Sequence, residues 1–113
     1  MSLVIQRAEF FIADYEKRFA WYVDQAGAEV AQRFQVSLDI SMLKLSRQPD
    51  AGRVRHFSHP KLLDLRSYRV ERPFNKLLIF YRITGDLIQA IRLIHGARDL
   101  PRRLLEPPEP VAD

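Results

Sequence analysis

The sequence predicts an α+β domain: a short N-terminal strand and an antiparallel helical hairpin packed on a twisted antiparallel sheet, closed by a short C-terminal helix. Three observations predict it. Apolar residues recur at helical spacing twice in the first half of the chain, the period changes to two after a Pro/Gly turn, and two β-rich runs are joined by a short Gly-containing turn. At 113 residues the chain suits one domain with a real core. That domain is expected over 1–105, followed by a flexible tail over 106–113.

Taken in order, Leu3 to Arg7 reads as the first strand. From Glu9 to about Gln25, Phe11, Tyr15, Phe19 and Tyr22 fall at spacings of four, four and three, one stripe of an amphipathic helix. Gly27 interrupts it. A second helix carries Val30, Phe34, Leu38, Met42 and Leu45, with Glu29, Gln32, Gln35 and Asp39 on its polar side. Gln48-Pro49-Asp50-Ala51-Gly52 is a turn signal. Arg53 to Lys61, with His56 and His59, reads as irregular and basic. Tyr68 and Val70 then alternate with Arg69 and Glu71. Leu77 to Ile83 is a nearly continuous apolar run, the mark of a strand covered on both faces. Thr84-Gly85-Asp86 turns the chain into a last strand, Leu87 to His95. Beyond it, Asp99 is expected to N-cap a short helix with Pro101 in its first turn.

Charge is unevenly placed. Residues 1–52 hold six Lys/Arg against seven Asp/Glu, whereas 53–103 hold twelve against four. That imbalance points to an acidic partner, either nucleic acid or an acidic protein segment. The absence of cysteine excludes disulfides and thiolate metal sites. The N-terminus carries no export signal and no apolar run is long enough to span a bilayer, so a cytoplasmic protein away from membranes is expected.

Catalytic signals are sparse. There is no Gly-rich phosphate loop and no serine in a nucleophile elbow. His56 and His59 lie in a loop without a nearby acid, so no metal and no cofactor are expected. Asp14 and Glu16 read as unpaired surface charges on a helix flank. What remains is cationic: Arg66, Arg69, Arg72, Arg82, Arg92, Arg98, Arg102 and Arg103 fall in or just after the sheet. Their planar forks suit phosphate or carboxylate, and Tyr68 and Tyr81 among them could stack on a base. His95, at a strand end beside Gly96, could serve as an acid or base near neutral pH.

Leu65-Arg66, Arg69-Val70, Leu78-Ile79-Phe80-Tyr81-Arg82-Ile83 and His95-Gly96-Ala97-Arg98-Asp99-Leu100-Pro101 together resemble the RelE/ParE superfamily of toxins. The paired helices, with Asp14, Gly27, Ala31, Phe34 and Leu38, and the Pro49-x-x-Gly52 turn agree in order, so the likeness runs from about Leu3 to Leu105. The resemblance implies the toxin of a type II toxin–antitoxin module, neutralised by a cognate acidic antitoxin whose disordered segment folds over it. Phe11, Tyr15, Trp21 and Tyr22 are the residues it implies for antitoxin binding.

The superfamily divides into ribosome-dependent mRNA nucleases of the RelE kind and DNA gyrase inhibitors of the ParE kind. Arg69 and Arg98 fall where RelE-like members carry basic catalytic residues, and with His95 they would form the nuclease site. However, Glu71 stands where a second strand cation is expected, Leu77 falls near the position of the central arginine, and the segment Leu100 to Leu105 lacks a tyrosine. Glu71 would repel a phosphate. The ParE-like reading, a plasmid-stabilisation toxin that traps gyrase without chemistry of its own, is therefore favoured. Its target contacts are expected from Arg66, Arg69, Tyr81, Arg82, Arg92, Arg98, Arg102 and Arg103. A degenerate toxin retaining only antitoxin binding is the third reading.

Overall fold

Gly27 alone separates the two long helices in the computed structural model, which describes residues 2–96 and 98–108. Its φ of 94° and ψ of 163° belong to a region open to glycine and strained for any residue with a Cβ. A chain reversal in one residue becomes possible there. Helix α1 spans Glu9–Ala26 and helix α2 spans Ala28–Arg47. Their predicted stripes face inward: Phe11, Phe34, Leu38, Met42 and Leu45 are buried, and Tyr15, Phe19, Tyr22 and Val30 pack against them.

Five strands form one sheet in the order β1-β5-β4-β3-β2, with β1 Val4–Arg7, β2 Arg53–Val54, β3 Arg66–Arg69, β4 Leu77–Thr84 and β5 Leu87–His95. Strands β2 to β5 are antiparallel, as the alternation and the Gly85 turn predict. The first strand differs: β1 runs parallel to β5, Val4 opposite Leu87 and Arg7 opposite Ala90. The β4–β5 hairpin leaves the outer edge of β5 open, and the one-residue link through Ala8 into α1 fixes the direction in which β1 fills it. Strand β2 is an addition to the predicted set, two residues long inside the stretch read as irregular.

Both faces of β4 are covered, which explains its unbroken apolar run. Leu77, Ile79 and Tyr81 face the helices. Leu78 and Phe80 face the other way, under Leu62 and Leu65 from the loop before β3 and Leu104 from the C-terminal helix. Each large side chain buried this way contributes about 1.5–3 kcal/mol. A bulge interrupts the hairpin: Phe80 pairs with Arg92 but Tyr81 with Ala90, leaving Ile91 as the extra residue. The bulge resets the alternation, so that Leu93 enters the helix-side core while Arg92 takes the other side.

The C-terminal helix α3 is one turn, Arg102–Leu105. Asp99 is not the N-cap that the sequence predicts; Pro101 holds that place without a side-chain bond. Asp99 sits in the left-handed region, φ 59°, and its carbonyl accepts from the Arg103 N–H at 3.0 Å. The expected tail begins tethered, because Lys17 Nζ donates to the Pro108 carbonyl at 2.9 Å. The remainder of that tail, 109–113, and Ala97 of the closing motif lie outside the described residues.

Candidate functional site

Arg92 is 3% exposed, which no target contact could use. Its Nε and Nη2 donate to the two carboxylate oxygens of Asp14 at 2.8 and 3.1 Å. Its Nη1 donates to the carbonyls of Arg103, Leu104 and Glu106 at 2.9, 3.2 and 2.6 Å. Asp14 also accepts from the Leu93 N–H at 2.9 Å, capping the edge of β5 where β1 has ended. Asp14 is thus a buried partner and not the surface charge expected from sequence. Arg92 ties α1, β5 and the C-terminal turn together. The reading of Arg92 as a target-binding residue is corrected on this ground.

Tyr81 is corrected likewise. Its ring is fully buried, its hydroxyl donates to the Pro49 carbonyl at 2.7 Å and accepts from the Gly52 N–H at 2.9 Å, so it cannot stack on a base. A Cβ on Gly52 would collide with that ring, which is why a glycine stands at the end of the turn.

The other predicted arginines are anchored mostly through main-chain oxygens. Arg66 donates to the Asp50 and Gly52 carbonyls, Arg82 to those of Lys61 and Leu63, Arg103 to those of Arg98 and His95, and Arg69 to that of Asn75. A carbonyl orients a guanidinium without cancelling its charge. Among these arginines, ion pairs with carboxylates engage Arg92, and Arg102 with Asp99 and Glu106. Arg98 is exposed in the turn before α3.

Two further arginines, Arg53 and Arg55, were missed by sequence reasoning because their stretch reads as irregular. The alternation Arg53-Val54-Arg55 was the available signal. Arg53 lies opposite Ser67, and Arg55 Nε donates to Ser67 Oγ at 2.8 Å with its guanidinium 5.7 Å from the centre of the Phe80 ring. Burial first, and then repulsion from Arg53 and Arg69, lowers the pKa of Arg55.

The three residues of a nuclease site are not assembled. Arg69 pairs with Leu78 and shares the face away from the helices, whereas His95 pairs with Leu77 on the helix side. His95 titrates below its ordinary value through burial and through Arg18, Lys76 and Arg103. Glu71 is engaged by the helical hairpin: Lys44 on α2 holds its carboxylate, and its N–H donates to the buried Ser41 Oγ at 2.9 Å. Among the described residues no group of three or more acidic, His or Cys side chains could hold a metal.

The family model of the ParE toxin of type II toxin-antitoxin system, parDE, matches residues 5–100. The chain belongs to the ParE toxin family. A solved structure titled "Chromosomal ParDE TA system from P. aeruginosa" shares the fold with a TM-score of 0.64 at 22% identity, over 85% of this chain and 98% of that one. No curated protein matches the sequence.

In this ParE-family chain the aromatics assigned to an antitoxin are mostly core. Phe11 is fully buried and is corrected to a core residue. Tyr15 stacks on Phe34 at 5.6 Å and Tyr22 meets Phe34 and Phe74 at 5.1 and 5.3 Å; burial raises both phenol pKa values. Trp21 stays half-buried, with Arg18 over its ring at 5.1 Å. The apolar surface of the ParE-family hairpin lies elsewhere. Val36, Ile40 and Leu43 are 57%, 43% and 51% exposed and follow helical spacing on the outer side of α2, with Arg33, Lys44 and Arg47 beside them. Phe10, with Ala8, Ile91, Arg92 and Leu104, lines an open apolar depression of about 300 Å³.

Proposed function

We propose that this chain is the toxin of a type II toxin–antitoxin pair that acts in the cytoplasm by binding DNA gyrase and is held inactive by an acidic cognate antitoxin. The observation that carries the reading is the ParE-family match across residues 5–100. Binding without chemistry is supported by Arg69 and His95 lying on different faces of the sheet and by the engagement of Glu71 with Lys44. An antitoxin is supported by the exposed outer stripe Val36, Ile40 and Leu43, with Arg33 and Arg47 beside it, a surface suited to an amphipathic helix of acidic character.

Induction of the chain in cells without its partner is the test. Early DNA breaks and loss of supercoiling, with protein synthesis continuing at first, is the expected result. Immediate translation arrest with intact DNA overturns it in favour of a ribosome-dependent mRNA nuclease. Undiminished growth marks a chain that retains only antitoxin binding.

A further inference from the structure

The corner where β2 meets β3 presents three arginines on the sheet face away from the helices. Arg53 is in register with Ser67, and Arg69 follows Ser67 by two residues, so all three side chains leave the same face. The ladder extends one residue further, where the Arg55 N–H donates to the Leu65 carbonyl at 2.9 Å, placing Arg55 on that face too. Among the described residues none of these three arginines enters an ion pair with a carboxylate. Arg53 and Arg69 are exposed, while Ser67, 5% exposed, holds Arg55 by its Nε and leaves the outer nitrogens of the fork free.

The geometry points to a phosphate-binding cradle for the backbone of duplex DNA, formed by Arg53, Arg55 and Arg69 with Ser67. Three guanidinium groups exceed what one carboxylate neutralises, whereas a phosphodiester chain supplies charge after charge and fits the fork of arginine bidentately. The aromatic rings at this corner are taken up in packing, which favours a duplex over unpaired bases: Phe80 is fully buried beneath Arg55, Phe57 packs against the Leu65/Phe80 cluster and Tyr68 packs on the helix side. An added peptide strand is poorly served, because β2 has two residues and only Val54 turns its main-chain groups outward. Mutual repulsion of the three cations is relieved when phosphate oxygens come between them.

Fluorescence anisotropy of the full chain with a labelled duplex across a salt series tests the cradle. The wild type binds with a salt-dependent affinity, and the Arg53→Gln/Arg69→Gln double variant loses about tenfold or more, its log–log salt slope falling by about 0.9 for each arginine removed. Both side chains are exposed, and Arg53→Gln alone, which breaks no side-chain bond among the described residues, gives a folded partial variant with half the change in slope. Arg102→Gln, whose charge is already met by Glu106 and Asp99, shifts affinity by less than about twofold. Equal affinity and slope in wild type and double variant overturns the site, as does tighter binding of single-stranded RNA of the same length. Displacement of the duplex by polyglutamate at matched charge overturns it in favour of an acidic protein segment. The mixture contains neither gyrase nor antitoxin, so failure here leaves the toxin reading standing, and failure of that reading leaves the cradle.

Discussion

Arg92 and the Arg53/Arg55/Arg69 corner put the same side chain to opposite uses. Arg92, beside a bulge and close to the start of α1, is buried with its charge met by Asp14 and its remaining donors by three carbonyls. Among the described residues the corner arginines, at the far edge of the sheet, meet a hydroxyl, a carbonyl and the Phe80 ring but no carboxylate. A guanidinium becomes architecture when a carboxylate is folded against it, and stays a recognition group when only dipoles orient it. Among the described residues the helical hairpin supplies a carboxylate to Arg92 and none to the corner.

The largest expected effect breaks the comparison at Arg92. Arg92→Met leaves the Asp14 carboxylate buried with only the Leu93 N–H, and urea unfolding should show a loss of about 3–5 kcal/mol. Arg69→Met at the corner should stay within about 0.5 kcal/mol of wild type. The double variant Asp14→Leu/Arg92→Met should recover much of the loss, because no unpaired charge remains. Equal stability losses at Arg92 and Arg69 would end the distinction.

A middle-sized effect links the two regions. Tyr81 reaches from the central strand to the turn that delivers β2, its hydroxyl bridging Pro49 and Gly52. Tyr81→Phe leaves the Gly52 N–H without its acceptor and should cost about 1–3 kcal/mol. Amide exchange at Gly52 and Arg53 should accelerate in that variant beyond the global change. Unaltered local exchange would mean that the turn, not the tyrosine, positions Arg53.

The helices were legible because a stripe such as Phe34, Leu38, Met42, Leu45 repeats within a few residues and needs no distant information. The β4–β5 hairpin was legible for the same reason, through Gly85. The parallel placement of β1 was not, since pairing with a strand more than 80 residues away leaves no trace in a four-residue period. Strict alternation along β5 would put Arg92 with Ala90 on one face; the bulge at Ile91 moves it, and sequence carries no mark of that bulge. In sequence Arg92 and Arg69 are both arginines in amphipathic strands. What separates them is Asp14, 78 residues from Arg92. Residue type makes one class of these arginines because it reports charge, and only the fold reports whether that charge is met. Tyr81 shows the same gap, a ring that could stack on a base until the turn at Gly52 closes over it.

The smallest effect sharpens the comparison from a third place where cations crowd. His95 ends β5 facing Arg18, Lys76 and Arg103; although the residue is exposed, partial desolvation of its ring together with these three charges holds its pKa below the ordinary 6.5. A base that takes its proton less readily when folded makes the unfolded chain bind more protons as pH falls through that ordinary value. The contribution of His95 to stability is therefore neutral well above 6.5 and turns unfavourable below it. Urea midpoints of wild type and His95→Asn should diverge between about pH 7.5 and about pH 5.5, the variant losing less on acidification. High salt should shrink the part of the difference that comes from Arg18, Lys76 and Arg103 and leave the part due to burial. A gap insensitive to salt would show that crowding of cations contributes nothing at this end of the sheet, and would weaken the use of the same repulsion at the Arg55 corner.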